Sequence, residues 1–381
     1  MSGAVHAPGG DPAAAATSVA TGVVTRRARD RRRLLRHLTS CWSTQALAAA
    51  IELDLPDRLA AGPASAAQLA AACEVSAEAL PRLLRALCAL GVCREGRDGR
   101  FRLTAGGHAL RRGDTADGPS LRAIAQWWAG PMWSLWPELG YSVRTGRSAR
   151  ERVTGQPGYG FLEHQPATAT VFHQAMQAMT ALVIDDIVAL ELWREVAGFV
   201  DVGGGSGTLA AAIVQAHPAL QGWVLDRADA EGAGGALIRS RGVASRCRFV
   251  VGDFFVALPP GRDVYLLKSI LHNWSDADAA RILSCCARAA APGARLLLVE
   301  RVRPGPLRPR DHDLALARTD LNMLCGLGGR ERTREEFEAL LAAAGFELET
   351  VGATGFEFSV LQARRLGGSA VTAPAAPCAP A

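Results

Sequence analysis

Hydrophobic spacing changes character partway along this chain. In residues 34–61, Leu47, Ile51, Leu55 and Leu59 recur at helical intervals, which predicts a mostly helical start. Ser65 opens a second helix, Ala66 to Cys73, and Ser76 caps a third, Glu78 to Leu90, which Gly91 ends. Val92–Glu95 and Arg100–Leu103 flank Gly96-Arg97-Asp98-Gly99, a hairpin signal. Helices followed by a hairpin make a winged-helix pattern. Residues 121–189 again carry helical spacing. From Phe199 onward the pattern becomes short apolar runs alternating with amphipathic stretches. The expected strands are Gly198–Val202, Gly222–Asp226, Cys247–Gly252, Arg262–Leu267 and Ala294–Val299. Helices are expected at Thr208–His217, Asp276–Ala290 and Glu335–Ala344, with last strands near Glu347–Gly352 and Phe356–Arg364.

Strand–helix alternation is the signature of a mostly parallel sheet. The fold class read from the pattern is therefore α/β: a C-terminal Rossmann-like domain preceded by a mainly helical, winged-helix-like one.

Composition adjusts this picture in four places. Residues 1–22 and 367–381 are rich in Ala, Gly and Pro and read as disordered ends. No run of about 20 apolar residues lacks charge, so no membrane span is expected, and the N-terminus lacks the pattern of a signal peptide. The nine cysteines show no C-x-x-C and no clustered His partners. That disfavours a zinc site or disulfide framework and points to a reducing cytoplasm. Net charge is only +5, with a local excess at Arg26, Arg27, Arg29, Arg31, Arg32, Arg33 and Arg36. We read that excess as a solvated arm leading into the first helix. The third helix has only Arg82 and Arg85, too weak an electrostatic footprint for DNA recognition.

Candidate chemistry collects at the ends of the expected strands. Phe199-Val200-Asp201-Val202-Gly203-Gly204-Gly205-Ser206-Gly207-Thr208-Leu209 is a buried strand, a glycine turn and a helix start. Such a turn lets backbone approach a ligand closely and aims free N–H groups at it. Asp226 ends the second strand, where a carboxylate can accept both hydroxyls of a ribose. These two features fit NAD as well as S-adenosylmethionine. Asp253 and Phe254 follow the third strand and offer an acceptor and an aromatic face to an adenine, with Trp274 available for the other face. Lys268 and His272 follow the fourth strand and Glu300 the fifth. Five strand ends converging on one rim say more than any single motif.

His272 titrates near neutrality and can take a proton from a hydroxyl. Glu300, and Glu331 in Gly328-Gly329-Arg330-Glu331-Arg332-Thr333, can brace its ring. Asp311, His312 and Asp313 follow a Pro-rich loop without the spacing of a rigid metal site, so they read as surface and no metal is expected. Trp127, Trp128, Met132, Trp133 and Trp136, with Phe161, Phe172, Met176 and Met179, are core material that can also line a pocket for a flat apolar substrate.

Val200-Asp201-Val202-Gly203-Gly204-Gly205-Ser206-Gly207, Gly252-Asp253-Phe254-Phe255, Leu271-His272-Asn273-Trp274-Ser275-Asp276 and Gly328-Gly329-Arg330-Glu331-Arg332-Thr333-Arg334-Glu335-Glu336-Phe337 occur in this order. Together they resemble the two-domain S-adenosylmethionine-dependent O-methyltransferases. That family includes plant caffeate and flavonoid enzymes and bacterial enzymes that decorate antibiotics. The resemblance runs from about Leu34 to Arg364, and an NAD reading explains only the first motif.

It implies a cofactor site of Gly203, Gly205, Asp226, Asp253, Phe254 and Lys268. It also implies His272 as base flanked by Glu300 and Glu331, and an acceptor pocket that includes Met176, Asn322 and Met323. Trp128, Met132 and Asn273 join the expected acceptor residues, Asn273 because many plant members carry Asp there.

The implied organisation is a disordered arm (1–30), a dimerisation domain (31–110), a helical pocket region (111–189), a catalytic domain (190–366) and a disordered tail (367–381). The expected activity is methylation of a small aromatic hydroxyl by a homodimer, without nucleic acid or membrane. Two rivals remain: a methylation-independent tailoring enzyme on the same scaffold, and a ligand-sensing DNA-binding regulator.

Overall fold

The structure, a computed structural model, describes residues 26–113 and 118–367. The chain divides into two units, 1–45 and 46–381, a division that falls within the first helix. The described part of the first unit is the N-terminal portion of α1 (Arg26–Glu52). The Arg-rich stretch expected to be an arm is thus helical from Arg26. Leu34, Leu35, Leu38 and Trp42 on it are exposed. Most of the expected disordered ends, residues 1–25 and 368–381, lie outside the described residues.

The stretch over 34–61 is mostly helical, as expected, in two helices. α2 (Leu55–Ala60) starts after Asp54, whose φ of 53° is left-handed, and Pro56 sits in its first turn. Proline is tolerated there but disfavours helix in the residue before it. β1 (Ala64–Ser65) leads into α3 (Ala66–Cys73), where Ser65 and Gln68 form a capping box. Next come α4 (Leu80–Ala89), β2 (Cys93–Glu95) and β3 (Arg100–Leu103), with strand order β1-β3-β2. Ile51, Leu55, Leu84, Leu87 and Phe101 form the core of this region.

The stretch over 121–189 is helical in short pieces. After α5 (Ala105–His108) it comprises α6 (Arg122–Ala129), α7 (Leu139–Thr145), α8 (Ala149–Thr154), α9 (Gly160–His164), α10 (Pro166–Ala181) and α11 (Ile184–Val188). Glycines at 146 and 155, both with φ of 69°, end α7 and α8. Trp127, Met132, Phe161 and Ala175 form its core.

The remainder is one seven-stranded sheet of order β6-β5-β4-β7-β8-β10-β9. Its strands are β4 (Gly198–Val202), β5 (Gln221–Asp226), β6 (Cys247–Val251), β7 (Val264–Lys268), β8 (Arg295–Glu300), β9 (Phe346–Ala353) and β10 (Ser359–Arg365). β4 to β8 are parallel; β10 runs antiparallel to both neighbours. The helices alternating with them are α12 (Thr208–Ala216), α13 (Ala228–Ser240), α14 (Asp276–Ala289), α15 (Asp311–Gly326) and α16 (Arg334–Ala343). Two apolar clusters cover the sheet. Strand order reverses between β4 and β7, which puts a crevice at their C-terminal ends.

Asp311 and Asp313 stand in the first turn of α15. Asp311 and His312 are exposed, but Asp313 is buried, a correction to its surface reading. Its carboxylate accepts from the Arg308 N–H and Arg310 Nε, both at 2.7 Å. Among the described residues no helix is long and apolar enough to cross a membrane.

Candidate active site

The glycine turn after β4 leaves room where a ligand backbone contact is needed. Gly205 has φ of 57°, and a Cβ added there would meet nothing within 4 Å. Gly203 and Gly204 have no such space: a Cβ on them would meet Ile270 Cδ1 at 2.5 Å and Asp201 Oδ2 at 2.6 Å. Asp226 closes the turn from β5. Its Oδ2 accepts from the Gly205 N–H at 2.6 Å and its Oδ1 from the Arg227 N–H at 2.7 Å. Each oxygen keeps a second lone pair, so the carboxylate still has capacity for a diol. Asp253 Oδ1 accepts from the Phe255 N–H at 2.8 Å and the residue is exposed.

These features fit a nucleoside with a short charged tail: an open glycine turn, a fixed carboxylate and a wall of Phe254 and Phe255. Trp274 stands beside both rings. Its ring meets Phe254 at 80° and Phe255 at 86°, edge-on rather than face to face. Lys268 is half-buried at the end of β7, with Nζ 3.3 Å from Ser269 Oγ and above the Phe358 ring. Burial first, and then the nearby Arg301, push its amine down to about 8.

The chain brings His272, Glu300 and Glu331 together from three separate segments. His272 lies in a short 3-10 turn, Leu271–Asn273, and is buried. Its Nδ1 is 3.3 Å from Glu331 Oε1 and 3.6 Å from Glu300 Oε2. Glu300 also holds the turn that carries the imidazole, because its Oε1 accepts from the Ile270 and Leu271 N–H groups at 3.0 and 2.8 Å. Burial disfavours the charged imidazole, but the two carboxylates outweigh it, and the pKa of His272 is raised. Burial likewise opposes ionisation of Glu331, yet the facing imidazole holds its carboxyl below the usual range. Glu300 is raised, by burial first. Among the described residues this is the one His/Cys/Asp/Glu group whose donor atoms lie close enough to hold a metal, within 4.8 Å.

Several supporting residues escape sequence reading. Ser269 has φ of 56°, a left-handed value rare outside glycine. Its carbonyl accepts from Asn273 Nδ2 at 2.9 Å. One Asn273 amide N–H is therefore committed to the turn's own backbone. Arg332, fully buried, donates to the Leu271 and Trp274 carbonyls at 2.7 and 2.8 Å and to Asp276 Oδ1 at 2.9 Å. Asp320 accepts from the Glu331 N–H at 2.8 Å. Arg332 is visible in the sequence only as part of a motif, with nothing to distinguish it from Arg330 or Arg334.

The expected acceptor residues are spread. Met176, Asn322 and Met323 are half-buried, whereas Met132 is buried in the helical core and Trp128 is 44 % exposed. Tyr159, not singled out by sequence, lies edge-on to Trp274 and tilted against Phe172, and burial raises its phenol.

Comparison with known proteins matches most of the chain. Residues 136–347 match the family described as O-methyltransferase domain, and residues 35–112 the O-methyltransferase dimerisation domain. O-demethylpuromycin-O-methyltransferase of Streptomyces alboniger is 38% identical over 83% of this chain and 84% of its own length. The solved structure of the mitomycin 7-O-methyltransferase MmcR covers 89% of this chain and 98% of its own, at 33% identity and a TM-score of 0.79. NcsB1, an O-methyltransferase from neocarzinostatin biosynthesis solved with S-adenosylmethionine and 2-hydroxy-5-methyl naphthoic acid, covers 85% of this chain and 96% of its own. It is 33% identical with a TM-score of 0.69.

Proposed function

This chain belongs to the S-adenosylmethionine-dependent O-methyltransferases of the secondary-metabolite type, and from that premise we propose that it methylates a hydroxyl of a small aromatic acceptor with His272 as general base. The cofactor is S-adenosylmethionine. The observation that carries the base reading is the 3.3 Å contact of His272 Nδ1 with Glu331 Oε1. A carboxylate acceptor there assigns the ring proton to Nδ1 and leaves the lone pair on Nε2, the nitrogen that would receive the acceptor's hydroxyl proton.

Gly203, Gly205, Asp226, Asp253, Phe254 and Lys268 would hold the cofactor, which when bound supplies an electrophilic sulfonium methyl. Asp226 would accept from the ribose hydroxyls. Lys268, with its lowered pKa, and the glycine turn would meet the charged tail. The leaving group is built into the cofactor, so the residues contribute mainly orientation, worth up to ~7–11 kcal/mol in well-aligned cases. Proton removal by His272 adds about 10²- to 10⁴-fold. Met176, Asn322 and Met323, all half-buried, would line the acceptor pocket, with Trp128 and Met132 behind it.

The match to the dimerisation domain, together with exposed Leu34, Leu35, Leu38 and Trp42 on α1, supports a homodimer. The test of function is transfer of labelled methyl from the cofactor to hydroxylated naphthoates and phenazines, wild type against His272→Ala. Retained cofactor affinity by calorimetry with loss of label transfer is the expected result. Product formation without label would favour the methylation-independent rival. Unchanged transfer by the variant would remove His272 from the base role.

A further inference from the structure

Arg150 occupies an unusual environment for a cation. It lies on α8, is only 5 % exposed, and has no carboxylate within ion-pair distance among the described residues. Its guanidinium lies 4.1 Å from the Phe161 ring centroid and 5.2 Å from that of Trp127. Nε donates to the Gly326 carbonyl at 3.3 Å and Nη2 to Met132 Sδ at 2.8 Å. That uses two of five donors, and cation–π contact compensates a buried charge only in part.

The guanidinium lines a cavity of about 270 Å³ whose other walls include Leu135, Phe161, Val153 and the hydroxyls of Ser134, Thr154 and Thr168. Those hydroxyls already donate, to the carbonyls of Pro131 and Arg150 and to Gln165 Oε1. The Arg150 guanidinium and the Gln165 amide thus carry the cavity's free hydrogen-bond donors, and the charged one favours an anion. Of the lining residues only Phe161 is named above for a substrate pocket, and none is assigned to cofactor or base.

We propose that this cavity is a binding site for a small aromatic carboxylate, separate from the methyl acceptor. Its carboxylate takes the Arg150 fork and its ring lies against Leu135 and Phe161. A planar, bidentate guanidinium matches a carboxylate, and the apolar walls match one ring. Burial, which brings the Arg150 pKa to about 10, leaves the group charged at neutral pH and in need of a counter-ion.

The test is calorimetric titration of the full-length protein, loaded with S-adenosylhomocysteine, with benzoate and with the neutral isostere benzamide. Benzoate should bind saturably and at least tenfold more tightly than benzamide. Arg150→Gln should abolish the difference, and Val153→Trp, a change at an exposed rim residue, should block benzoate by filling the cavity. Equal binding of the two probes, or benzoate binding unchanged in Val153→Trp, overturns the proposal. The second variant decides the matter if Arg150→Gln does not fold.

Discussion

The α-carbon of Gly329 lies against the backbone of His272, so close that a Cβ added to it would overlap the His272 carbonyl oxygen. The same carbonyl accepts from the Arg330 N–H at 2.9 Å. The segment carrying Glu331 is therefore fastened directly to the turn carrying the imidazole. The obstacle is backbone on both sides, which cannot swing away. Gly329→Ala should separate the two segments, lengthen the His272–Glu331 contact and lower turnover by ~10² or more, while calorimetric cofactor affinity changes little. An alanine variant with wild-type turnover would show that this close approach does not set the base's geometry.

The raised pKa of His272 fixes the sign of a pH effect. A base acts in its neutral form, so falling pH inactivates it by protonation. Because its pKa lies above the ordinary 6.5, the acidic limb of kcat/KM should have its midpoint above that value. Glu331→Gln removes one of the two charges that raise it. The midpoint should move to lower pH, and the rate on the plateau should fall because the Nδ1 proton is held less firmly. A pH profile of each protein at saturating cofactor checks both. An unshifted midpoint in the variant would mean that Glu331 does not act on the imidazole's charge.

The His272, Glu300 and Glu331 donors could also be imagined around a divalent cation. The geometry argues for a proton in that place. Nδ1 is the atom that faces both carboxylates, and at 3.3 Å it is at hydrogen-bond distance from Glu331. Exhaustive dialysis against a chelator should therefore leave label transfer unchanged, and added magnesium should not raise it. Loss of transfer on chelation, restored by a stoichiometric metal, would replace the proton with an ion.

The sheet and its rim are legible in the sequence because buried parallel strands are continuous apolar runs, as in Val264-Tyr265-Leu266-Leu267, and polar residues after them can be placed without side-chain detail. The convergence of His272 and Glu300 follows from two such placements, and Glu331 joins them through its motif between α15 and α16. What sequence does not carry is local backbone geometry. Ser269 adopts a left-handed φ with no glycine to announce it, and that conformation turns its carbonyl toward the Asn273 amide. The angle between the Phe254 and Trp274 rings depends on packing, not order. The break at Asp54 had a signal in Pro56, but the steady Leu47, Ile51, Leu55, Leu59 spacing masked it. Asp313 has the composition of a surface acid, and only its pairing with Arg308 and Arg310 accounts for its burial.

Arg332 clamps the other side of the catalytic turn. It is fully buried, and its donors satisfy the Leu271 and Trp274 carbonyls together with the Asp276 carboxylate. Methionine in its place keeps the bulk but leaves the Trp274 carbonyl without a donor and the Leu271 carbonyl with only the Trp274 N–H at 3.2 Å. Losing a buried hydrogen-bonded charge costs ~3–5 kcal/mol. For a chain of this size the thermal midpoint should drop by roughly 5–15 °C. Arg332→Lys supplies charge without the fork and should recover only part of the loss. A midpoint within a degree of wild type for the methionine variant would show that water satisfies the turn.

Asp201 provides a stability signature independent of catalysis. It is the penultimate residue of β4, beneath the glycine turn, nearly fully buried, and its Oδ2 has no hydrogen-bond partner among the described residues. Burial first, and the Asp226 charge second, raise its carboxyl from 3.8 to about 7. The folded state therefore holds this proton more tightly than the unfolded chain does. Between those two values the folded state binds more protons, so stability falls as pH rises, and the contribution is lost once pH passes the folded pKa. The full swing is on the order of a few kcal/mol. Asp201→Asn cannot titrate, so its unfolding free energy should fall less steeply from pH 4 to pH 7 than that of the wild type. Denaturant melts of both proteins across that range measure the difference. Parallel curves would mean that Asp201 titrates at its unfolded value and that the strand end is more solvated than its burial implies.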